Sequence, residues 1–149
     1  MSLSKHLATQ QQTLQRFVEL IEEERRALTE ANVDGQHLSD LAAAKQALLG
    51  ELEHLESQRS NAQIKLGYGA GRRGAEQAAR DAGCLPAWQR LLELASHAQL
   101  QNRLNGDAIR TRLGHNQRIL NFLHEAAGHS LYGPDGRSRR SGSLSGLST

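Results

Sequence analysis

Apolar residues recur at heptad spacing through the first part of the chain. Leu7, Leu14, Ile21 and Leu28 fall seven apart, with Leu3, Phe17 and Ala31 at the intermediate positions. Two apolar positions in seven give an α-helix one stripe to press against a partner helix. The spacing predicts a first helix from Leu3 to Asn32, its seam broken by polar Gln10 and Glu24. The mixed-sign run "EEERR" at 22–26 reads as a solvated face. "NVDG", Asn32 to Gly35, supplies turn residues that end the helix. A second helix is expected from about Gln36 to Leu66. Leu38, Leu41, Leu48, Leu52, Leu55, Ala62 and Leu66 share its heptad frame, and so do Lys45 and Arg59. Long basic side chains can lay their stems along such a seam and put the charge in water. A short turn between helices of similar length predicts an antiparallel hairpin.

"GYGAGRRG", Gly67 to Gly74, interrupts the periodicity. Gly69, Gly71 and Gly74 match GxGxxG formally. That fingerprint binds a pyrophosphate only when a strand feeds it, and here a helix does. The stretch is therefore expected to be a flexible connector, with "AEQAARDAG" either a short helix or poorly ordered. Pro86 suits the first turn of a further helix, expected to run to about Ala127. Trp88, Leu91, Leu92, Ala95, Ala98, Ile109, Leu113, Leu120 and Leu123 mark its apolar stripe. Asn102, Asn105 and Asn116 interrupt that stripe, and Gly106 and Gly114 lie within the helix. Small residues at such places permit close approach of another backbone. Beyond "AAGHS" the chain is rich in Ser, Gly and Arg and lacks the apolar content for a core element. The predicted fold is all-α: an elongated antiparallel hairpin plus a third long helix, a coiled-coil-like three-helix bundle with an irregular C-terminal tail. Residues 1–127 form the expected helical domain, with a glycine-rich connector at 67–74 and a flexible tail at 128–149.

Composition sharpens this picture. Leucine fills 24 positions while valine and isoleucine together fill six, which favours helices over strands. The net charge of +2 arises at the end of the chain. Arg137, Arg139 and Arg140 follow a body that carries 15 basic and 16 acidic side chains. A duplex-binding protein spreads its basic residues over a face, so nucleic acid is not an expected partner. Cys84 is a lone cysteine, and the sequence has neither a signal-peptide core nor an apolar run long enough to span a bilayer. A cytoplasmic protein without stable membrane insertion is expected.

Nothing in the sequence marks a reaction. The seven histidines (6, 37, 54, 97, 115, 124, 129) have no metal-ligand spacing and read as surface residues. No GxSxG elbow and no GK[ST] phosphate loop occur. The expectation is a non-enzyme with no catalytic residue, metal or cofactor. What the helices offer instead is surface. The Asn- and Gly-interrupted stripe either completes a three-helix bundle or forms a docking groove for a partner helix, and both hold if its first half packs at home and its second half binds. A buried Asn in such a seam specifies pairing at a cost in stability. A structural coiled coil or adaptor without cargo is the alternative function.

The stretches "LAAAKQALLGELEHLESQR" (41–59), "QNRLNGDAIRTRLGHN" (101–116) and "LYGPDGR" (131–137) resemble the FlgN-type flagellar export chaperones. The Asn-x-x-Asn-Gly segment is matched by Asn102, Asn105 and Gly106, and the Tyr-Gly-x-Asp-Gly turn by Tyr132 to Gly136. The resemblance implies a cytosolic chaperone for the hook–filament junction (hook-associated) proteins. It would bind their C-terminal helical segments, prevent premature assembly, and pass them to the export gate and the export ATPase complex. The expected cargo-binding residues are Asn102, Asn105, Gly106, Ile109, Leu113, Asn116, Leu120 and Leu123. Those expected to dock on the export gate's cytosolic domain are Leu131, Tyr132, Gly133, Pro134, Asp135 and Gly136. Pro134 fixes φ for a turn completed by Asp135-Gly136, which would hold Tyr132 outside the bundle as a rigid amphipathic contact. Without a phosphate loop, cargo release is expected from competition at the gate or from the export machine's own energy.

Overall fold

The computed structural model describes residues 2–126, with side chains as far as Thr111. Four helices occur in it: α1 (Leu3–Leu28), α2 (Gly35–Lys65), α3 (Arg72–Asp81) and α4 (Leu85–Ala126). Among the described residues there is no strand. The chain divides into two units, residues 1–101 and 102–149.

In the first unit α1 is the central element. Leu7, Leu14, Phe17, Val18 and Ile21 are all buried. They form one core with Ala75 and Ala79 of α3 and with Trp88, Leu91 and Ala98 of α4. Leu48, Leu49 and Leu52 of α2 pack against it. Fully burying a Leu or Ile contributes about 1.5–3 kcal/mol, so this cluster is the main source of cohesion. The hairpin is antiparallel: His6 meets Leu55 and Glu24 meets Lys45. The first part of α4 runs alongside α1 in the same direction. Trp88 lies by Arg59 near the base, and His97 and Gln101 line a groove with Ile21, Glu22 and Arg25.

α1 stops at Leu28, short of the expected Asn32. The Thr29 hydroxyl donates to Arg26 O at 2.7 Å and its N–H donates to the same carbonyl at 3.1 Å, closing the last turn tightly. Ala31 therefore falls outside the helix. Asp34 then caps α2, accepting from the N–H groups of Gln36 and His37.

The charges of Glu24, Lys45 and Arg59 were expected to lie in water, and all three have protein partners instead. Glu24, part of the supposedly solvated charge run, is only 1% exposed and accepts from Lys45 Nζ at 2.9 Å. Gln10 Nε2 donates to Glu56 Oε2 at 3.1 Å. Arg59 donates to both oxygens of Glu56 and, through Nη1, to Gln63 Oε1 at 2.6 Å. Lys45 thus places its charge on a carboxylate of α1 that the hairpin brings to the same level, and Arg59 places its charge on Glu56, one turn away on its own helix. Burial disfavours the Glu56 charge. The bonds from Arg59 and Gln10, with the positive charges of Arg59 and His6, outweigh it and hold the pKa below its ordinary value. His6, expected at the surface, is buried and shares a 2.8 Å hydrogen bond with Leu55 O, which requires Nε2 to carry the proton.

The glycine stretch expected to be flexible is a built turn. Gln63 Nε2 donates to Gly69 O at 2.6 Å and to Gly71 O at 3.0 Å. Tyr68 donates its hydroxyl to Asp81 at 2.7 Å, which raises the tyrosine pKa and lowers that of the aspartate. Gly67, Gly69 and Gly71 have φ near +90°, +74° and +100°, a region an L side chain rarely adopts. Gly74 is fixed by space: a Cβ there would meet Tyr68 O at 2.5 Å and Gln63 Nε2 at 2.7 Å. These glycines close a tight passage from α2 into α3.

Candidate functional site

α4 changes role along its length. Trp88, Leu91 and Ala98 are buried in the first unit, so the beginning of the stripe packs at home. Ala95, counted in that stripe, is exposed. From Asn102 the helix belongs to the second unit and continues unbroken to Ala126.

Helical register puts the eight expected cargo-binding positions on one face. At about 100° per residue, 102, 105, 106, 109, 113, 116, 120 and 123 fall within a sector of roughly 100°. Asn105 is 4% exposed, while Asn102, Gly106 and Ile109 are partly exposed. Asn102 and Asn105 both engage in interactions in the unbound chain. A binding helix would have to displace whatever covers Asn105. Gly106 adds room: among the described residues a Cβ built there meets only Arg110 Nη1, at 3.7 Å. Among the described residues no other backbone lies within 4 Å of that position.

Asp107 and Arg110 pair one turn apart, and Thr111 donates its hydroxyl to Asp107 O at 2.9 Å. Both contacts are local to the helix. The face thus carries an aliphatic group (Ile109), the partly exposed carboxamide of Asn102, the buried one of Asn105 and a gap at Gly106. These can hold an amphipathic helix through packing and side-chain hydrogen bonds, with no bond made or broken. The side chains of Leu113, Asn116, Leu120 and Leu123 lie outside the described residues. So do Leu131, Tyr132, Gly133, Pro134, Asp135, Gly136 and the whole 128–149 segment.

Sequence reasoning missed Leu104, which is 49% exposed on the other side of the helix. It lies out of phase with the heptad, so periodicity assigns it no role. Among the described residues no group of three His, Cys, Asp or Glu side chains gathers as metal ligands would. No helix among them is long and apolar enough to cross a membrane.

Comparison with known proteins adds a family. The family model described as "FlgN protein" matches residues 1–140, which takes in both the α4 face and the segment around Tyr132. The flagella synthesis protein FlgN of Yersinia enterocolitica is 28% identical over 141 residues, covering 92% of this chain and 89% of that protein. The flagella synthesis protein FlgN of Salmonella typhimurium is 27% identical over 119 residues, covering 80% of this chain and 77% of that protein. No solved structure matches significantly.

Proposed function

Since this chain belongs to the FlgN family, whose members include flagella synthesis proteins, we propose that it is a flagellar export chaperone. Its cargo would be the C-terminal helical segments of hook–filament junction proteins. The observation that carries this reading is the family match through residue 140, together with a helix that runs unbroken from the first unit into the second and whose register puts positions 102, 105, 106, 109, 113, 116, 120 and 123 in one sector.

The physical logic is helix-in-groove recognition. A junction-protein segment with an apolar stripe aggregates or assembles early if left exposed. Ile109, Leu113, Leu120 and Leu123 would cover that stripe. Asn102, Asn105 and Asn116 would reward one register and penalise others, since an unpaired buried carboxamide costs about 1–3 kcal/mol. The segment Leu131–Gly136 would then present Tyr132 to the cytosolic domain of the export gate, within reach of the export ATPase complex. Arg137, Arg139 and Arg140 would steer the encounter. Delivery needs no chemistry by this chain: exchange of cargo at the gate suffices.

The test is titration of the full chain with a C-terminal peptide of a hook–filament junction protein. Ile109→Asp and Leu120→Asp should each weaken binding at least tenfold while circular dichroism stays unchanged, because each buries a charge against an apolar stripe. Tyr132→Ala should bind the peptide normally yet fail in export. Unchanged affinity in both folded Asp variants would remove this face from the cargo site. A chain that binds no junction-protein peptide would instead favour a structural coiled coil.

A further inference from the structure

The α1–α2 hairpin is electrically lopsided. Residues 1–18 and 56–81 carry seven basic side chains against three carboxylates, while residues 19–55 carry nine carboxylates against three basic side chains. Antiparallel pairing turns this distribution along the sequence into two ends in space. The end where α1 begins, α2 finishes and α3 follows is the basic one.

A cavity of about 100 Å³ lies at that end, with Leu3, Ala62, Leu66 and Ala78 as its apolar lining and His6 and Arg59 beside them. Leu66 is 73% exposed, the most open large hydrophobic side chain among the described residues. Among the described residues no carboxylate lines the cavity. Arg59 is committed to Glu56 and Gln63, Arg80 pairs with Glu76, and Asp81 accepts from Tyr68, so the exposed positive charge of this end comes chiefly from Lys5, Lys65, Arg72 and Arg73. The N-terminus of α1, with Ser2 as its cap, adds the positive end of a helix dipole at the rim.

We propose that this end of the hairpin is a docking site for an acidic helical segment of another protein. The segment seats one aliphatic side chain in the cavity against Leu66 and sets its carboxylates among Lys5, Lys65, Arg72 and Arg73. The cavity is smaller than the engineered apolar cavity of about 150 Å³ that admits benzene, so it fits a single aliphatic side chain. Charge alone would also draw a nucleic acid or an anionic membrane, but neither accounts for an apolar socket of that size. The surface belongs wholly to the first unit and uses no residue of the α4 face. It is therefore a second binding surface, independent of the cargo reading.

The probe is a labelled synthetic Glu-rich helical peptide with one central leucine, followed by fluorescence anisotropy against the full-length chain. Saturable binding is expected, and replacing the peptide's leucine by alanine should weaken it roughly tenfold, the value of one buried Leu side chain. Leu66→Ser and the cavity-filling Ala62→Met should each cause a similar loss, both at exposed positions where the fold tolerates change. Lys65→Glu with Arg72→Glu should weaken binding further and flatten its salt dependence. The proposal is overturned if the leucine and alanine peptides bind alike, or if folded Leu66→Ser and Ala62→Met chains bind as the parent does. It is equally overturned if a duplex oligonucleotide or anionic vesicles compete as well as the peptide, or if no peptide binds.

Discussion

The guanidinium carbon of Arg59 lies 4.7 Å from the centroid of the Trp88 ring, so α2 and α4 are joined by a cation held over an aromatic face. The same side chain grips Glu56 and Gln63, is itself only 9% exposed, and thereby ties the hairpin to the glycine turn. Replacing Arg59 by Ala removes the cation–π contact and leaves Gln63 Oε1 without this donor. A loss of about 2 kcal/mol is expected, moderated because Glu56 is half-exposed and can turn to water. Urea unfolding followed by fluorescence of the single tryptophan measures this directly, and the native emission should shift as well. An unchanged midpoint would mean that the stack adds nothing.

Lys45 and Glu24 form the other polar bridge across the hairpin, and here the carboxylate is almost fully enclosed. Lys45→Met should therefore be severe, about 3 kcal/mol or more, because it removes the ammonium that faces a buried charge. Converting both partners, Glu24→Leu with Lys45→Met, should recover most of that loss, since an apolar pair of similar volume needs no solvation. A double-mutant cycle on denaturant midpoints tests the sign. A double variant as unstable as Lys45→Met alone would show that the pair contributes more than its own neutralisation.

Two glycines separate crowding from conformational freedom. Gly74 is hemmed in by Tyr68 O, Gln63 Nε2 and Gly69 O, all under 3.0 Å from a built Cβ, and two of these are backbone atoms that cannot swing away. Gly74→Ala should destabilise by about 2 kcal/mol or more, since overpacking costs about 1–3 kcal/mol and here the backbone must move. Gly50 sits in the interior of α2 with nothing within 4 Å. Gly50→Ala should stabilise by about 0.5–1 kcal/mol. Thermal melts of the pair should shift in opposite directions.

The heptads of α1 were legible because Leu7, Leu14, Phe17 and Ile21 do one job each, burying carbon against a partner. The same periodicity could not show that Glu24 and Lys45 would meet. That contact depends on the register between two helices, which is set by the turn at Asp34 and by packing along the whole hairpin. The glycine stretch was misread for a related reason. Its order comes from Gln63, whose amide reaches carbonyls six and eight residues ahead, and no local signal in "GYGAGRRG" reports that. His6 is similar: its hydrogen-bond partner is a carbonyl 49 positions away. The α4 face shares one sector because register is a local property. The burial of Asn105 in the unbound chain could not be read from the heptad pattern.

Acid should loosen the hairpin through Glu56. Its pKa is lowered in the folded chain: burial opposes ionisation, but hydrogen bonds from Arg59 and Gln10 outweigh that cost. The unfolded chain therefore binds a proton more readily than the folded one. The stabilisation is complete above the ordinary value of 4.5 and is lost as the pH falls through the lower folded value. The carboxylate is half-exposed, so the contribution stays below about 1 kcal/mol. Urea midpoints at neutral pH and at a series of values below 4.5 should fall more steeply for the parent chain than for Glu56→Gln, which keeps the shape and has no proton to gain. At neutral pH the Gln variant should be the weaker of the two, and the curves should converge once Glu56 is protonated. Parallel curves through the acid range would show that the acid sensitivity lies with other carboxylates.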